Sequence, residues 1–101
     1  MYLIQILLPL STNAGRPLKK KLYEAVRTTL TERFDGVTIY SRSPAEGIWT
    51  QGTETSLDQI VVYEVMTTEI DSLWWKNYRQ ELEQCFEQQS IIIRAHTIQL
   101  L

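Results

Sequence analysis

The stretch Gln59-Ile-Val-Val-Tyr-Glu-Val-Met66 decides the fold of this chain. Its β-branched and aromatic residues favour a strand. Alternate side chains of a strand point to opposite faces of the sheet, so the stretch divides into two sets. The apolar set, which we expect to face a core, is Val61, Tyr63 and Val65. The set on the second face mixes aliphatic with ionisable residues and is Ile60, Val62, Glu64 and Met66.

Apolar segments on both sides of this strand follow the order strand, helix, strand, strand, helix, strand. We expect strands at 2–8, 37–50, 59–66 and 91–101, and helices from Pro17 to Gly36 and from Asp71 or Ser72 to about Gln88. This order predicts a single ferredoxin-like domain over residues 1–101. It is an α+β βαββαβ sandwich, whose four-stranded antiparallel sheet has the order 4-1-3-2 and carries both helices on one face.

Local signals set the expected boundaries. Pro17 suits the first turn of a helix, and Gly36 suits a left-handed cap at its end. Residues 44–47 interrupt the second strand, and residues 51–56 form the tip of the next hairpin. In the second helix, one apolar stripe predicts a core-facing side with a buried, inert cysteine. The residues of that stripe are Trp74, Trp75, Tyr78, Leu82, Cys85 and Phe86.

Composition excludes several classes of function. The chain has 101 residues, a net charge of −2, one cysteine and one histidine. The negative charge argues against a nucleic-acid binder, which needs a positive surface. One cysteine and one histidine argue against a structural zinc site or a disulfide, so we expect no metal and no cofactor. The apolar start lacks basic residues and a cleavage site, and it is too short to span a membrane, so we expect a cytoplasmic protein.

The second face of the sheet collects the polar residues of interest. The expected strand order puts Arg94 and His96 beside Gln5, and it puts Glu64 beside Tyr40 and Arg42. These groups could bind an anionic or carbonyl-bearing small molecule, with Arg94 anchoring it and His96 or Glu64 acting as a base. The alternative, which we favour, is an ion-pair network between two subunits. Trp49, near the hairpin, is placed to line a pocket or a subunit contact.

This second face also carries aliphatic residues that an isolated subunit would expose, including Ile60, Val62 and Ile98. Large exposed apolar patches are rare in monomers, so the sequence predicts a homodimer that packs two such faces together. A separate loop, Ser11-Thr-Asn-Ala-Gly-Arg16, combines hydroxyls, a glycine and a cation before the first helix. Such a loop could bind an anion at a helix start, although solvated lysines and arginines are the more common interpretation.

Four segments carry a resemblance to a known family. They are Arg33-Phe-Asp-Gly-Val-Thr-Ile-Tyr40, Gly47-Ile-Trp49, Ile60-Val-Val62 and Phe86-Glu-Gln-Gln-Ser-Ile-Ile92. Across roughly the last two-thirds of its length the chain resembles a family of small uncharacterised bacterial proteins. That resemblance implies a ferredoxin-like fold, and it brings no known activity or site residues.

The sequence therefore predicts a homodimeric ligand-binding or interaction module. The alternative is a cofactor-free enzyme of the dimeric α+β barrel type, an oxygenase or isomerase that uses His96, Glu64 and Arg94. An RNA-binding domain of the same topology needs aromatic residues on the exposed central strands. The second face of strands 2–8 and 59–66 has none.

Overall fold

The computed structural model describes residues 1–51 and 54–101, with the side chains of residues 1–40 and 59–101. The strands and helices follow the predicted order along the chain. They are β1 (Tyr2–Pro9), α1 (Lys20–Arg33), β2 (Thr38–Gln51), β3 (Glu54–Thr67), α2 (Ser72–Cys85) and β4 (Ile92–Thr97).

The sheet is antiparallel and has the order β2-β3-β1-β4. Read from the other edge, this is the predicted order 4-1-3-2, so the ferredoxin-like fold is confirmed. Strand β1 lies in the centre and sets the register of both neighbours. Its residue Gln5 stands opposite Glu64 of β3 and Arg94 of β4.

One face of the sheet packs against both helices and forms the core. The central strands contribute alternate residues, as the period of two requires. The buried residues are Ile4, Ile6, Leu8, Val26, Leu30, Val61, Tyr63, Val65, Trp75, Tyr78, Leu82, Phe86 and Ile91. The prediction that Val61, Tyr63 and Val65 face the core is therefore confirmed.

Both predicted boundaries of α1 are wrong. The helix begins at Lys20, and Pro17 instead pairs with Ser11 in an isolated antiparallel bridge. It ends at Arg33, because Phe34 already has extended backbone angles. Gly36 makes no left-handed cap, whereas Gly15 does have a left-handed backbone, with φ of +82°.

Helix α2 begins as predicted, at an Asp71 cap. The Asp71 side chain accepts a hydrogen bond from the Trp74 amide at 3.1 Å, which satisfies one of the free N–H groups of the first turn. Arg33 ties the end of α1 to this point. Its guanidinium lies 3.4 Å from the Asp71 carboxylate and 4.1 Å above the Trp74 ring.

The prediction that Cys85 is buried is wrong, because this residue is exposed. The buried positions of α2 are Trp75, Tyr78 and Leu82, and Phe86 follows directly after the helix. At ~100° per residue, Cys85 falls at the edge of this stripe. It is also the last residue of the helix.

Strands β2 and β3 pair much further than predicted. Their pairing continues to Gln51 opposite Glu54, so a hairpin tip spanning 51–56 is wrong. The predicted irregularity in β2 exists as a register shift between Tyr40 and Ala45. Because β1 pairs with residues 60–67 of β3 and the Leu10 amide donates to the Gln59 carbonyl, only residues 54–58 form an arm with β2 alone. The last strand is shorter than expected and ends at Thr97.

Candidate functional site

A row of four side chains crosses the sheet on the face away from the helices. We call it the polar row: Tyr40 of β2, Glu64 of β3, Gln5 of β1 and Arg94 of β4. Gln5, Glu64 and Arg94 share one register level, so the strand pairing itself brings them side by side. Tyr40 stands opposite Val62, two residues along, and its long side chain reaches back to Glu64.

Hydrogen bonds join the polar row without a break. The Arg94 Nε donates to Gln5 Oε1 at 2.8 Å, and the Gln5 Nε2 donates to Glu64 Oε2 at 2.5 Å. The Tyr40 hydroxyl donates to the other carboxylate oxygen, Glu64 Oε1, at 3.0 Å. Gln5 therefore acts as a relay, with its oxygen towards the cation and its amide nitrogen towards the anion. Each strand contributes one member.

The positive and negative charges of the row are separated across the sheet. The cation lies on the edge strand β4, and the anion lies two strands away on β3. The carboxylate of Glu64 raises the pKa of the Tyr40 phenol above its ordinary value of 10.0, mainly because the phenol donates a hydrogen bond to it and also because its negative charge opposes a phenolate. Tyr40 thus stays protonated and remains a donor through the neutral range.

Aliphatic side chains flank the polar row on the same face. Leu3, Leu7, Ile60 and Val62 are half-buried, shielded only by their neighbours within the sheet. Met66 is 51% exposed and Ile92 is 50% exposed. The second face is therefore mixed, with hydrogen-bonded polar groups in the middle and apolar groups on both sides, as the alternation of the strands predicted.

His96 lies outside the polar row. It is exposed on β4 and stands opposite Leu3, two residues along the strand from the Gln5 level. Two strand spacings and two residues separate it from Glu64, a distance of roughly 12 Å between Cα atoms. Among the side chains that the structure describes, none joins His96 to the row by a hydrogen bond. Arg42 and Trp49, the other two candidate residues, lie outside the described side chains.

A groove of about 700 Å³ opens at the end of this face where β1 begins. Its floor is Leu3, Glu64 and Met66 of the sheet, and its wall is the connection from α1 to β2, residues 34–37. The sequence does not predict this groove. No local pattern marks it, because it forms where the connection folds beside the sheet.

The loop Ser11–Arg16 closes on itself and does not reach a helix start. The Gly15 amide donates to the Thr12 carbonyl, the Thr12 amide to the Arg16 carbonyl, and the Arg16 amide to the Thr12 hydroxyl. These bonds use three of the loop's N–H groups, and α1 begins only at Lys20. The loop therefore does not lead directly into a helix, and the alternative of an anion site at a helix start loses its basis.

Two further findings concern the described residues only. No group of three or more His, Cys, Asp or Glu residues is placed there to hold a metal ion. No helix in the same residues is long and apolar enough to cross a membrane.

Comparison with solved structures supports the fold. The divalent cation tolerance protein CutA1 from Thermus thermophilus has a TM-score of 0.63 at 17% identity, covering 97% of this chain and 84% of that one. CutA1 from Pyrococcus horikoshii has a TM-score of 0.61 at 11% identity, covering 100% and 86%. A phage SAM lyase in complex with S-methyl-5′-thioadenosine has a TM-score of 0.63 at 13% identity, covering 94% and 79%.

No family model matches the chain, and no curated protein matches it. Identities this low show a shared fold and nothing finer. The ferredoxin-like fold that the family resemblance implied is confirmed, and membership of the uncharacterised bacterial family stays a prediction.

Proposed function

We propose that this protein is a homodimeric binding module that works through the second face of its sheet. The observation that carries the proposal is the polar row, whose members are already hydrogen-bonded to one another on a face that neither helix covers. An ionisable group can enter an interface without a large penalty only when its polar atoms have partners. Glu64 meets this condition before any partner arrives, because both of its carboxylate oxygens accept hydrogen bonds within the row.

The aliphatic residues beside the row supply the driving force. Met66 and Ile92 are half-exposed and would lose water in a face-to-face contact, as would the outer atoms of Leu7 and Val62. Removing apolar surface from water contributes roughly 25 cal/mol per Å². A second copy of the same face offers matching groups, because the contact of a two-fold dimer is self-complementary.

The same surface could hold a small ligand at its edge. Arg94 uses its Nε within the row, and its two terminal nitrogens have no hydrogen bond to the side chains that the structure describes. A guanidinium with free terminal N–H groups favours a carboxylate or another anionic or carbonyl-bearing group. We therefore propose that the main partner of this face is a second copy of the chain and that such a ligand binds at its edge. We place it in the cytoplasm, because an exposed free cysteine suits a reducing compartment.

No observation favours the enzyme alternative over this proposal. A cofactor-free oxygenase or isomerase needs a base and an anchor at one point of a site. His96 and Glu64 are separated along and across the strands.

Substitution on the sheet face tests the proposal. We expect the wild-type protein to scatter light with about twice the subunit mass of 11.8 kDa. Val62→Asp should return it to the subunit mass, because the two-fold places two unpaired carboxylates inside one contact. The matched control is Leu73→Asp, which adds the same charge on the outer side of α2, where Leu73 is 68% exposed.

The control should leave the mass unchanged, and circular dichroism should show that both variants are folded. A folded Val62→Asp variant that keeps the doubled mass would contradict the placement of the contact. A wild-type protein with the subunit mass would contradict the dimer itself.

A further inference from the structure

We propose that residues 98–101 of one protomer occupy the groove at the β1 end of the second copy's sheet face. This inference rests on the proposed homodimer and adds the segment that completes its contact. We call residues 98–101, Ile-Gln-Leu-Leu, the tail.

The tail leaves the sheet beside the start of β1. The Ile98 amide donates to the Met1 carbonyl at 3.0 Å, which holds the first tail residue next to the edge of β1. Beyond this bond the tail is exposed, and Leu100 shows 60% of its surface to solvent. An apolar segment held at one end and exposed at the other is suited to contact another surface.

The groove lies at the same end of the sheet but on the other side of β1. Strand β4 and its tail flank β1 on one side, whereas the groove extends from the start of β1 across the end of β3 to the connection from α1 to β2. Its apolar lining is Met1, Leu3, Phe34, Val37 and Met66. The tail therefore starts beside Met1, at the rim of this groove, yet none of residues 98–101 lines the groove of the same protomer.

The charges of the polar row favour one of two orientations of the two-fold axis between the faces. A two-fold axis running across the strands would lay each strand on its own copy, with Glu64 near Glu64 and Arg94 near Arg94. An axis running along the strands lays β4 over β2 and β1 over β3 of the other copy. Arg94 then lies over the half of the partner's row that holds Glu64 and Tyr40. Opposite charges at an interface favour this second arrangement, and like charges disfavour the first.

The selected arrangement also brings tail and groove together. Rotation about an axis along the strands keeps the β1 end of one face over the β1 end of the other. The tail, at the β4 edge, then lies over the side of the partner where β2 and β3 form the groove. Packed sheets lie about 10 Å apart. Four extended residues span at most about 14 Å, so the tail is long enough to reach.

The size of the sheet face explains why the tail is needed. Where all four strands pair, four strands at about 4.8 Å and six paired residues at about 3.3 Å give a planar area of roughly 400 Å². A stable interface buries about 800 Å² per partner. This four-stranded part of the face is smaller than that, and two tails in two grooves extend the contact at both edges.

Disulfide trapping between two different variants tests the arrangement. Cys85 is first replaced in both chains by Cys85→Ser, since it is exposed. Protein carrying Leu100→Cys is mixed with protein carrying Met66→Cys, and the mixture is oxidised with copper phenanthroline. We expect a covalent dimer that contains one chain of each kind. In the matched control, Leu73→Cys replaces Met66→Cys and places on α2 a thiol at a more exposed position, 68% against 51%. This mixture should give no covalent dimer above background.

Charge in the tail gives a second measurement. Leu100→Glu should weaken dimerisation about tenfold or more, because a buried leucine contributes that much in affinity. Gln99→Glu adds the same charge one residue earlier and should change the dissociation constant less than about threefold, because neighbouring side chains of an extended segment point in opposite directions and a charge that faces solvent contributes little to affinity.

The outcomes separate this inference from the proposed function. If the wild type stays a dimer and Val62→Asp dissociates it, yet Leu100→Glu has no effect and no mixed disulfide forms, the tail placement is overturned and the dimer stands. A wild-type monomer would overturn both.

Discussion

The two faces of the sheet are formed by the same strands but differ in burial. In β1, the covered face presents Ile4, Ile6 and Leu8, each at most 2% exposed. The other face of β1 presents Leu3, Gln5 and Leu7, all half-buried. One face is completed by the two helices within the chain, and the other reaches no comparable burial. On the less buried face the Gln5 amide has a hydrogen-bond partner on each neighbouring strand, which satisfies a polar side chain in a central strand.

Adjacent leucines give the largest expected contrast between the faces. Leu8→Ala removes a fully buried side chain from the core and should lower the free energy of unfolding by roughly 2–5 kcal/mol. Leu7→Ala, on the other face, should lower it by only about 1 kcal/mol in dilute solution. Urea unfolding at several protein concentrations measures both.

The proposed dimer adds a concentration dependence to this pair. Dimerisation stabilises the folded state by mass action, so the loss from Leu7→Ala should grow as concentration rises. The loss from Leu8→Ala should stay constant. Equal losses for both variants at all concentrations would contradict the assignment of distinct roles to the two faces.

Two tyrosines on the covered side of the sheet differ in the hydrogen bonding of their hydroxyl groups. The Tyr23 hydroxyl donates to the Pro9 carbonyl at 2.5 Å, whereas the buried Tyr78 hydroxyl has no hydrogen-bond partner among the described residues. Burial raises the pKa of Tyr23 to about 12 and raises that of Tyr78 as well. The nearby Thr29 offsets part of the increase in the pKa of Tyr78, but it makes no hydrogen bond with the Tyr78 hydroxyl.

Removing each hydroxyl should therefore have a different effect. Tyr23→Phe should lower the free energy of unfolding by about 1 kcal/mol, because it leaves the Pro9 carbonyl without its donor. Tyr78→Phe should be neutral or slightly stabilising, since it removes an unsatisfied polar atom. Thermal unfolding of the two variants side by side makes the measurement. A larger loss for Tyr78→Phe would show that its hydroxyl has a partner.

The smallest expected effect concerns the polar row and its dependence on pH. Glu64 raises the pKa of Tyr40, so this contact stabilises the fold below the ordinary pKa of tyrosine. The stabilisation is lost as pH rises through the raised value. Glu64→Gln should bring the Tyr40 pKa back towards 10.0, as measured by nuclear magnetic resonance titration of the Tyr40 ring. Glu69→Gln, in the connection after β3, should not move it, and an unchanged pKa in Glu64→Gln would contradict the row.

The order of elements, the two faces and most of the polar row could be predicted from sequence. Alternation along Gln59–Met66 separates the faces, and the topology then places Gln5 between Glu64 and Arg94. His96 was expected beside Gln5, but the register places it opposite Leu3. Alternation determines which face of the sheet a residue lies on. It does not determine the cross-strand partner, because a register shift of two residues keeps the face and changes the partner.

Features that depend on distant contacts could not be predicted. Pro17 has the right chemistry for a helix start, yet pairing with Ser11 holds it before the helix. Cys85 fits the helical period within its tolerance, and only the packed structure shows that the edge of the stripe is exposed. The groove forms between the sheet and the connection from α1 to β2, so no single segment of the sequence predicts it.

Sedimentation equilibrium of the wild-type protein over a wide dilution series tests the central claim most directly. The account predicts a mass near twice 11.8 kDa at high concentration, falling towards 11.8 kDa on dilution in one reversible step. A folded protein that keeps the single-subunit mass at the highest concentration would contradict it, because the apolar groups beside the polar row would then face water in the native state.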